Sequence, residues 1–299
     1  MRIGTGKVQM KKLIGAASIA LALAGCGGSG DNSDGLAIVR TPPADTPTTP
    51  TAPTTPTTPV IPAAPDTIAL GSGFYIGTSA ANERFNILVL DENVYYAFYA
   101  TAGIPDVSTG VLTGNYSSGS GALTTNNNGL DFNQEAAGYS LTAANLMAAY
   151  VPGKSIQAQV TYRNGKSAVV KATYSTDYNF IATTDGLKGT YYGTSNVIDT
   201  TGITAGAVRL TIDASGSFTL DGSSSGCSFT GTATPRRQGK VYNVALQLIG
   251  PSCRYANTPM TGIAYYDPTT THSLPAPGQI YLFAMRPDRQ VGVIFTGKL

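Results

Sequence analysis

A seven-residue segment that occurs twice sets the strongest limit on what this chain can fold into. Gly73-Phe74-Tyr75-Ile76-Gly77-Thr78-Ser79 returns 116 residues later as Gly189-Thr190-Tyr191-Tyr192-Gly193-Thr194-Ser195, with five identities. Each copy leads into an alternating run that ends in aspartate, residues 85–91 and 208–213, here at an offset of 122. Self-similarity at one period marks a repeated structural unit, and units of about 115 residues are of single-domain size. The expected domains are 67–183 and 184–299, with Gly73, Tyr75, Gly77, Gly189, Tyr191 and Gly193 as the repeat signature.

Within each half the hydrophobic period is two. Ile156, Ala158, Val160 and Tyr162 alternate with Gln157, Gln159, Thr161 and Arg163. Asn164-Gly165 then predicts a tight hairpin into 167–174. Val244, Leu246 and Leu248 alternate with Asn243, Ala245 and Gln247, and a last hairpin folds 280–285 onto 291–295 through Arg286-Pro287-Asp288-Arg289. Residues 141–150 suit a helix or a strand. Charged residues are only 12% of the chain, against about 25% in an ordinary soluble protein, and glycine, serine, threonine and tyrosine suit strands and turns. The expected fold is all-β: two tandem antiparallel β-barrel or sandwich domains. One apolar and one polar face per strand, and strands shorter than the 9–11 residues of membrane barrels, argue against a membrane-spanning barrel.

The N-terminus carries an address. Arg2, Lys7, Lys11 and Lys12 precede an apolar run over 13–24, and Leu23-Ala24-Gly25-Cys26 closes it. Charged, apolar and small-residue regions in this order form an export signal, and the run is too short to span a membrane. The tetrapeptide resembles the lipobox of bacterial lipoproteins. That resemblance implies cleavage after residue 25, diacylglycerol on the Cys26 sulfur and an acylated new N-terminus, a stable anchor. Gly27 at the next position resembles the enterobacterial pattern that sorts to the outer membrane. Loss of 1–25 leaves 15 basic against 17 acidic groups, so no basic tract suggests nucleic acid.

Residues 26–66 read as a disordered tether. A polar Gly/Ser/Asp stretch is followed by proline at every third position from Pro47 to Pro65, the repeat of polyproline II. At about 3.1 Å per residue this spacer reaches roughly 70 Å. With Cys26 acylated, Cys227 and Cys253 remain, and an even pair in an exported protein predicts a disulfide. One histidine in the whole chain leaves too few ligands for a zinc site, and neither metal nor cofactor is expected.

Lipobox, low-complexity tether, Gly-x-Tyr-x-Gly-Thr at 73–78 and 189–194, and Cys-x-Phe-x-Gly at 227–231 together resemble uncharacterised repeat β lipoproteins of proteobacteria. Paired β halves behind a flexible anchor are distantly similar to the architecture of transferrin-binding-protein-B-type surface lipoproteins. Neither likeness implies an activity.

Catalytic candidates are weak. Gly222-Ser223-Ser224-Ser225-Gly226 fits the Gly-x-Ser-x-Gly pattern, with Asp267 and His272 following in the hydrolase order. That motif needs a strand-to-helix elbow, whereas a strand-like Cys-Ser-Phe-Thr follows, and Asp267 and His272 fall in a polar loop over 267–278. Asp91 and Asp213 read as equivalent turn caps. Tyr95-Tyr96, Tyr191-Tyr192 and Tyr265-Tyr266 should each send one ring inward and one outward. Inward rings fill a core that lacks tryptophan, and outward ones suit protein or sugar contact. The expectation is a non-enzymatic, outer-membrane lipid-anchored protein, with the membrane and an unidentified protein or glycan as partners. A lipocalin-like carrier of a small apolar ligand ranks second and a serine hydrolase third.

Overall fold

The computed structural model describes residues 71–299, apart from 103, 105–107, 126, 134–140, 222–225 and 270–277. Cys26, the signal segment, the tether, Ser223, Ser224, Ser225 and His272 lie outside the described residues.

The first half contains β1 (Gly73–Ser79), β2 (Arg84–Val89), β3 (Val94–Ala100), β4 (Ser108–Gly119), β5 (Ala122–Thr125), β6 (Leu130–Asn133), β7 (Leu141–Val151), β8 (Ser155–Tyr162) and β9 (Ser167–Tyr174). All pair antiparallel, and β1 joins β9 to close the ring. Two of these short strands share one place. Both β5 and β6 lie between β4 and β7, with Tyr116 opposite Thr125 and Thr113 opposite Leu130. The break falls around Gly129, where a Cβ would strike the Ala144 carbonyl, so only glycine lets the neighbouring backbone approach. The result is a barrel of eight strand positions. The segment that suited either helix or strand is β7.

A short 3-10 turn, Thr176–Asn179, leads to the second half: β10 (Gly189–Asp199), β11 (Gly202–Ile212), β12 (Ser217–Asp221), β13 (Ser228–Pro235), β14 (Val241–Ile249), β15 (Pro259–Asp267), β16 (Gln279–Met285) and β17 (Val291–Lys298). These close into an antiparallel barrel in chain order. The halves are therefore two barrels, not sandwiches and not one joined sheet.

Three apolar cores hold the molecule. Tyr75, Ile87, Tyr95, Leu112 and Tyr150 are among those that fill the first barrel. Tyr191, Leu210, Phe218, Phe229 and Phe295 are among those that fill the second. The third core lies between them. Phe74, Leu88, Tyr96, Phe98 and Phe132 point out of the first barrel into Ile263, Tyr265, Tyr281, Phe283 and Ile294 of the second. The rings of Tyr265 and Tyr281 stack with centroids 4.9 Å apart, Phe98 meets each edge-on at 5.4 Å, and Phe132 meets Phe283 at 5.0 Å. Full burial of one such side chain contributes about 1.5–3 kcal/mol, so this interface rivals the barrel interiors as a source of stability.

The tyrosine pairs alternate as expected. Tyr95 faces its own barrel and Tyr96 the interface, while Tyr191 is buried and Tyr192 is 64% exposed. In β3 and β15 the outward rings do make a protein contact, but with the other half of the same chain. One expectation fails: β4, β7, β10 and β11 have 11 or 12 residues, long enough for a membrane barrel. What separates these barrels from that class is the direction of their faces. On β8, Ile156, Ala158 and Val160 point in and are buried, while Gln157, Gln159 and Thr161 point out to solvent.

Candidate functional site

The repeat signature closes each barrel. Tyr75 Oη donates to the Gly71 carbonyl at 3.1 Å, and Tyr191 Oη donates to the Leu187 carbonyl at 3.0 Å, the same four-residue reach back in both halves. Gly77 and Gly193 sit where first and last strands meet. A Cβ there would collide with the carbonyls of Lys171 and Thr296. Gly73 and Gly189 lie against the Tyr174 ring and the Leu299 side chain. The glycines and inward tyrosines of the motif thus build a barrel seam, and of its rings Tyr192 alone is exposed.

Strand register corrects one reading of the repeat. Tyr75 is opposite Ile87, whereas Tyr191 is opposite Leu210, so the structural offset is 123 and the counterpart of Asp213 is Leu90, not Asp91. Asp213 does cap its turn, accepting from the Ser215 and Ser217 amides at 2.7 and 3.1 Å, and these bonds with the Ser215 hydroxyl hold its pKa down. Asp91 instead accepts from Arg236 of the second barrel at 2.6 Å.

Three arginines bind the barrels together around the apolar interface. Arg236, buried in the second barrel's outer face, pairs with Asp91 and Glu92 of the first and donates through Nη1 to Asn243 Oδ1 at 2.7 Å. Burial by itself would weaken its hold on the proton, but the two carboxylates outweigh it and raise its pKa. Arg84 of the first barrel reaches Asp267 of the second at 2.7 Å, joined by Asn86 Nδ2 at 3.2 Å. Arg289, in the β16–β17 turn, donates to the Asn128 carbonyl at 2.5 Å and the Thr113 carbonyl at 3.4 Å.

Asp267 thereby departs from its expected place in a polar loop. It is the last residue of β15 and wholly buried, with Oδ2 held by Arg84 and Asn86 and Oδ1 by the amide and hydroxyl of Thr269. A carboxylate committed to a guanidinium is not poised to orient an imidazole. Cys227 and Cys253 are joined in a disulfide, Cα atoms 4.7 Å apart, beside the start of β13. Among the described residues no group of three or more potential metal ligands gathers.

Where the β2–β3 turn meets the outer face of β13–β15, the seam opens into a cleft of about 340 Å3. Leu90, Glu92, Val94 and Tyr96 form one wall, and Thr232, Thr234, Arg236, Asn243, Thr261 and Ile263 belong to the other. Arg236 occupies the Asn243 oxygen, which leaves that amide's N–H groups to face elsewhere. Sequence reading missed this site and the arginines that frame it. Their one signal is a charge in a chain that has few.

No family model matches the sequence, and no curated protein sequence does. Solved structures show similar arrangements at low identity. A protein of unknown function from the DUF3598 family of Nostoc punctiforme is 12% identical over 76% of this chain and 94% of its own, with a TM-score of 0.25. A candidate outer membrane protein of Bacteroides fragilis is 13% identical over 76% and 95%, with a TM-score of 0.23. Transferrin binding protein B of Neisseria meningitidis is 12% identical over 73% of this chain and 50% of its own, with a TM-score of 0.28.

Proposed function

We propose that this chain is a non-enzymatic protein of the outer membrane, anchored by lipid on Cys26, that displays a rigid two-barrel head for recognition. The observation that carries the reading is the way the three cores are filled. Among the described residues, apolar side chains of each barrel pack into that barrel's own interior, which speaks against the carrier reading. The interface between the barrels is apolar and pinned by arginines, so the head presents fixed outer surfaces. Recognition belongs on those surfaces. A long proline-rich tether suits the same task, since it holds the head clear of the lipid.

Protease shaving of intact cells, followed by mass spectrometry, tests this reading. Cleavage in the tether with release of one resistant fragment containing both barrels is expected if the head faces outward. Digestion only after permeabilisation places the head on the periplasmic side. Loss of palmitate labelling and of membrane association in Cys26→Ser is expected in either case. An unlabelled wild-type protein in the soluble fraction overturns the reading.

A further inference from the structure

The register that aligns the two halves also aligns their outer faces. In the first barrel Phe74, Leu88, Tyr96 and Thr113 form a row across β1–β4, each the partner of the next. The second barrel covers that row. The corresponding row across β10–β13 is Thr190, Thr211, Thr219 and Thr230, again each the partner of the next, and Gln247 follows on β14. One step along the strands runs a second row, Ser217, Thr232, Ala245 and Thr261. Thr232, Ala245 and Thr261 line the seam cleft, so the hydroxyl face leads directly into it. The face that docks in one barrel is, in the other, accessible to solvent and hydroxylated.

Neighbouring strands lie about 4.8 Å apart and same-face residues about 6.7 Å apart along a strand, which makes a grid comparable in scale with one pyranose residue. Its charges cancel: Arg209 pairs with Asp221 at 3.2 Å, and the Asp213 carboxylate is offset by Lys298, the strand partner of Tyr192. Tyr192 stands on the same face beside Thr190, with its ring 64% exposed. The cleft adds the Glu92 carboxylate, the oriented Asn243 amide and an apolar wall of Leu90, Val94 and Ile263. Serine and threonine are under-represented among the residues that anchor protein partners, whereas those anchors are aromatic or arginine. Neutral rows of hydroxyls and amides with one flat ring match a neutral, hydroxyl-rich chain.

We propose that the threonine-lined face of the second barrel, anchored at the seam cleft, binds a neutral oligosaccharide chain. This rests on the recognition reading above and gives it a ligand class. The full mature protein in detergent micelles would be titrated calorimetrically with cello-, chito-, malto- and manno-hexasaccharides, with hyaluronan hexasaccharide as the anionic arm. At least one neutral hexasaccharide is expected to bind. The near-isosteric double variant Thr232→Val/Thr261→Val should weaken that binding about tenfold or more with an unchanged melting temperature. Thr219→Val, on the open face, should weaken hexasaccharide binding but not disaccharide binding. The proposal is overturned if no neutral hexasaccharide binds at up to about 10 mM, if only hyaluronan binds, or if the double variant binds as the wild type does. Such a failure leaves surface display, which shaving measures independently, untouched.

Discussion

Asp131 sits inside the first barrel with 1% of its surface exposed, at the inward position between Leu130 and Phe132. Its oxygens accept from Tyr99 Oη at 2.7 Å and Tyr162 Oη at 2.9 Å. Burial pushes its pKa up from 3.8 to about 6, against the lowering effect of hydrogen bonds from Tyr99, Tyr162 and Asn133. Because the folded pKa lies above the unfolded one, the folded protein retains a proton between pH 4 and 6 that the unfolded chain has released. Stability is therefore unaffected by this group below about pH 4, falls as pH rises towards 6, and stays lowered above it. A shift of about two pK units costs about 3 kcal/mol at neutral pH. Asp131→Asn removes the ionisation and keeps the shape, with its amide donating to Tyr162 in place of the carboxylate that accepted. At pH 7.5 the variant should gain about 2–3 kcal/mol, roughly 4–10 °C in Tm for a cooperative unit of this size. At pH 4 the gain should vanish. Thermal unfolding followed by circular dichroism from pH 4 to 8 measures both. An equal gain at both ends, or a loss at pH 7.5, refutes the reasoning.

Four further outcomes follow from the interface and the cysteines. Phe283→Ala removes a fully buried ring that meets Phe132 and Tyr96; it should cost about 3–5 kcal/mol and split one calorimetric transition into two. Arg84→Met strands Asp267, whose side chain has no exposed surface, and should cost about 3–5 kcal/mol in denaturant melts. Arg236→Met should cost less, because Asp91 and Glu92 are 36% and 57% exposed and water can take the arginine's place. Reduction of Cys227–Cys253, separated by 26 residues, should lower the denaturant-derived stability by about 3–4 kcal/mol. A Cys227→Ser/Cys253→Ser variant should match the reduced protein and be insensitive to reductant.

The strands were legible because alternation is a local property. Asn164-Gly165 turns β8 into β9 with Thr161 opposite Ser167, and the last hairpin sets Met285 opposite Gly292. What covers an outward face is not local. Tyr96 and Phe98 mark an apolar outer face of β3, but only the tertiary structure shows that Tyr265, Tyr281 and Phe283 lie over it. The same limit explains the misreading of Asp91 and Asp267. Asp91 lies beside a turn, where capping is the common local use of an acid, and Asp267 precedes a polar stretch that suggests a loop. Asp267 does accept from Thr269 as a cap, but both aspartates also meet an arginine more than a hundred positions away in sequence. The aspartates also misled the alignment of the repeat by one residue, and in a strand one residue exchanges inside for outside.

That single step matters because it decides which surfaces correspond. The interface is heterologous: the β1–β4 face of one barrel docks against the β15–β17 face of the other, and the two faces are different parts of the repeat. A heterologous contact between like units can propagate unless its free ends are blocked. An apolar β10–β13 face on the second barrel could accept the corresponding β7–β9 face of another molecule's first barrel and begin a filament. Here every docking residue of that row has a polar counterpart: Thr190 for Phe74, Thr211 for Leu88, Thr219 for Tyr96, and Asp213 for Leu90. At the opposite end, the exposed face of β7–β9 sets Gln157, Gln159 and Lys171 among the exposed Met147 and Val169. The polar residues that would block such assembly are the same ones that line the hydroxyl face. Thr211→Leu/Thr219→Tyr should therefore raise concentration-dependent self-association in sedimentation velocity above that of the wild-type protein, and a variant that associates no more than wild type would show that the face is polar for some other reason.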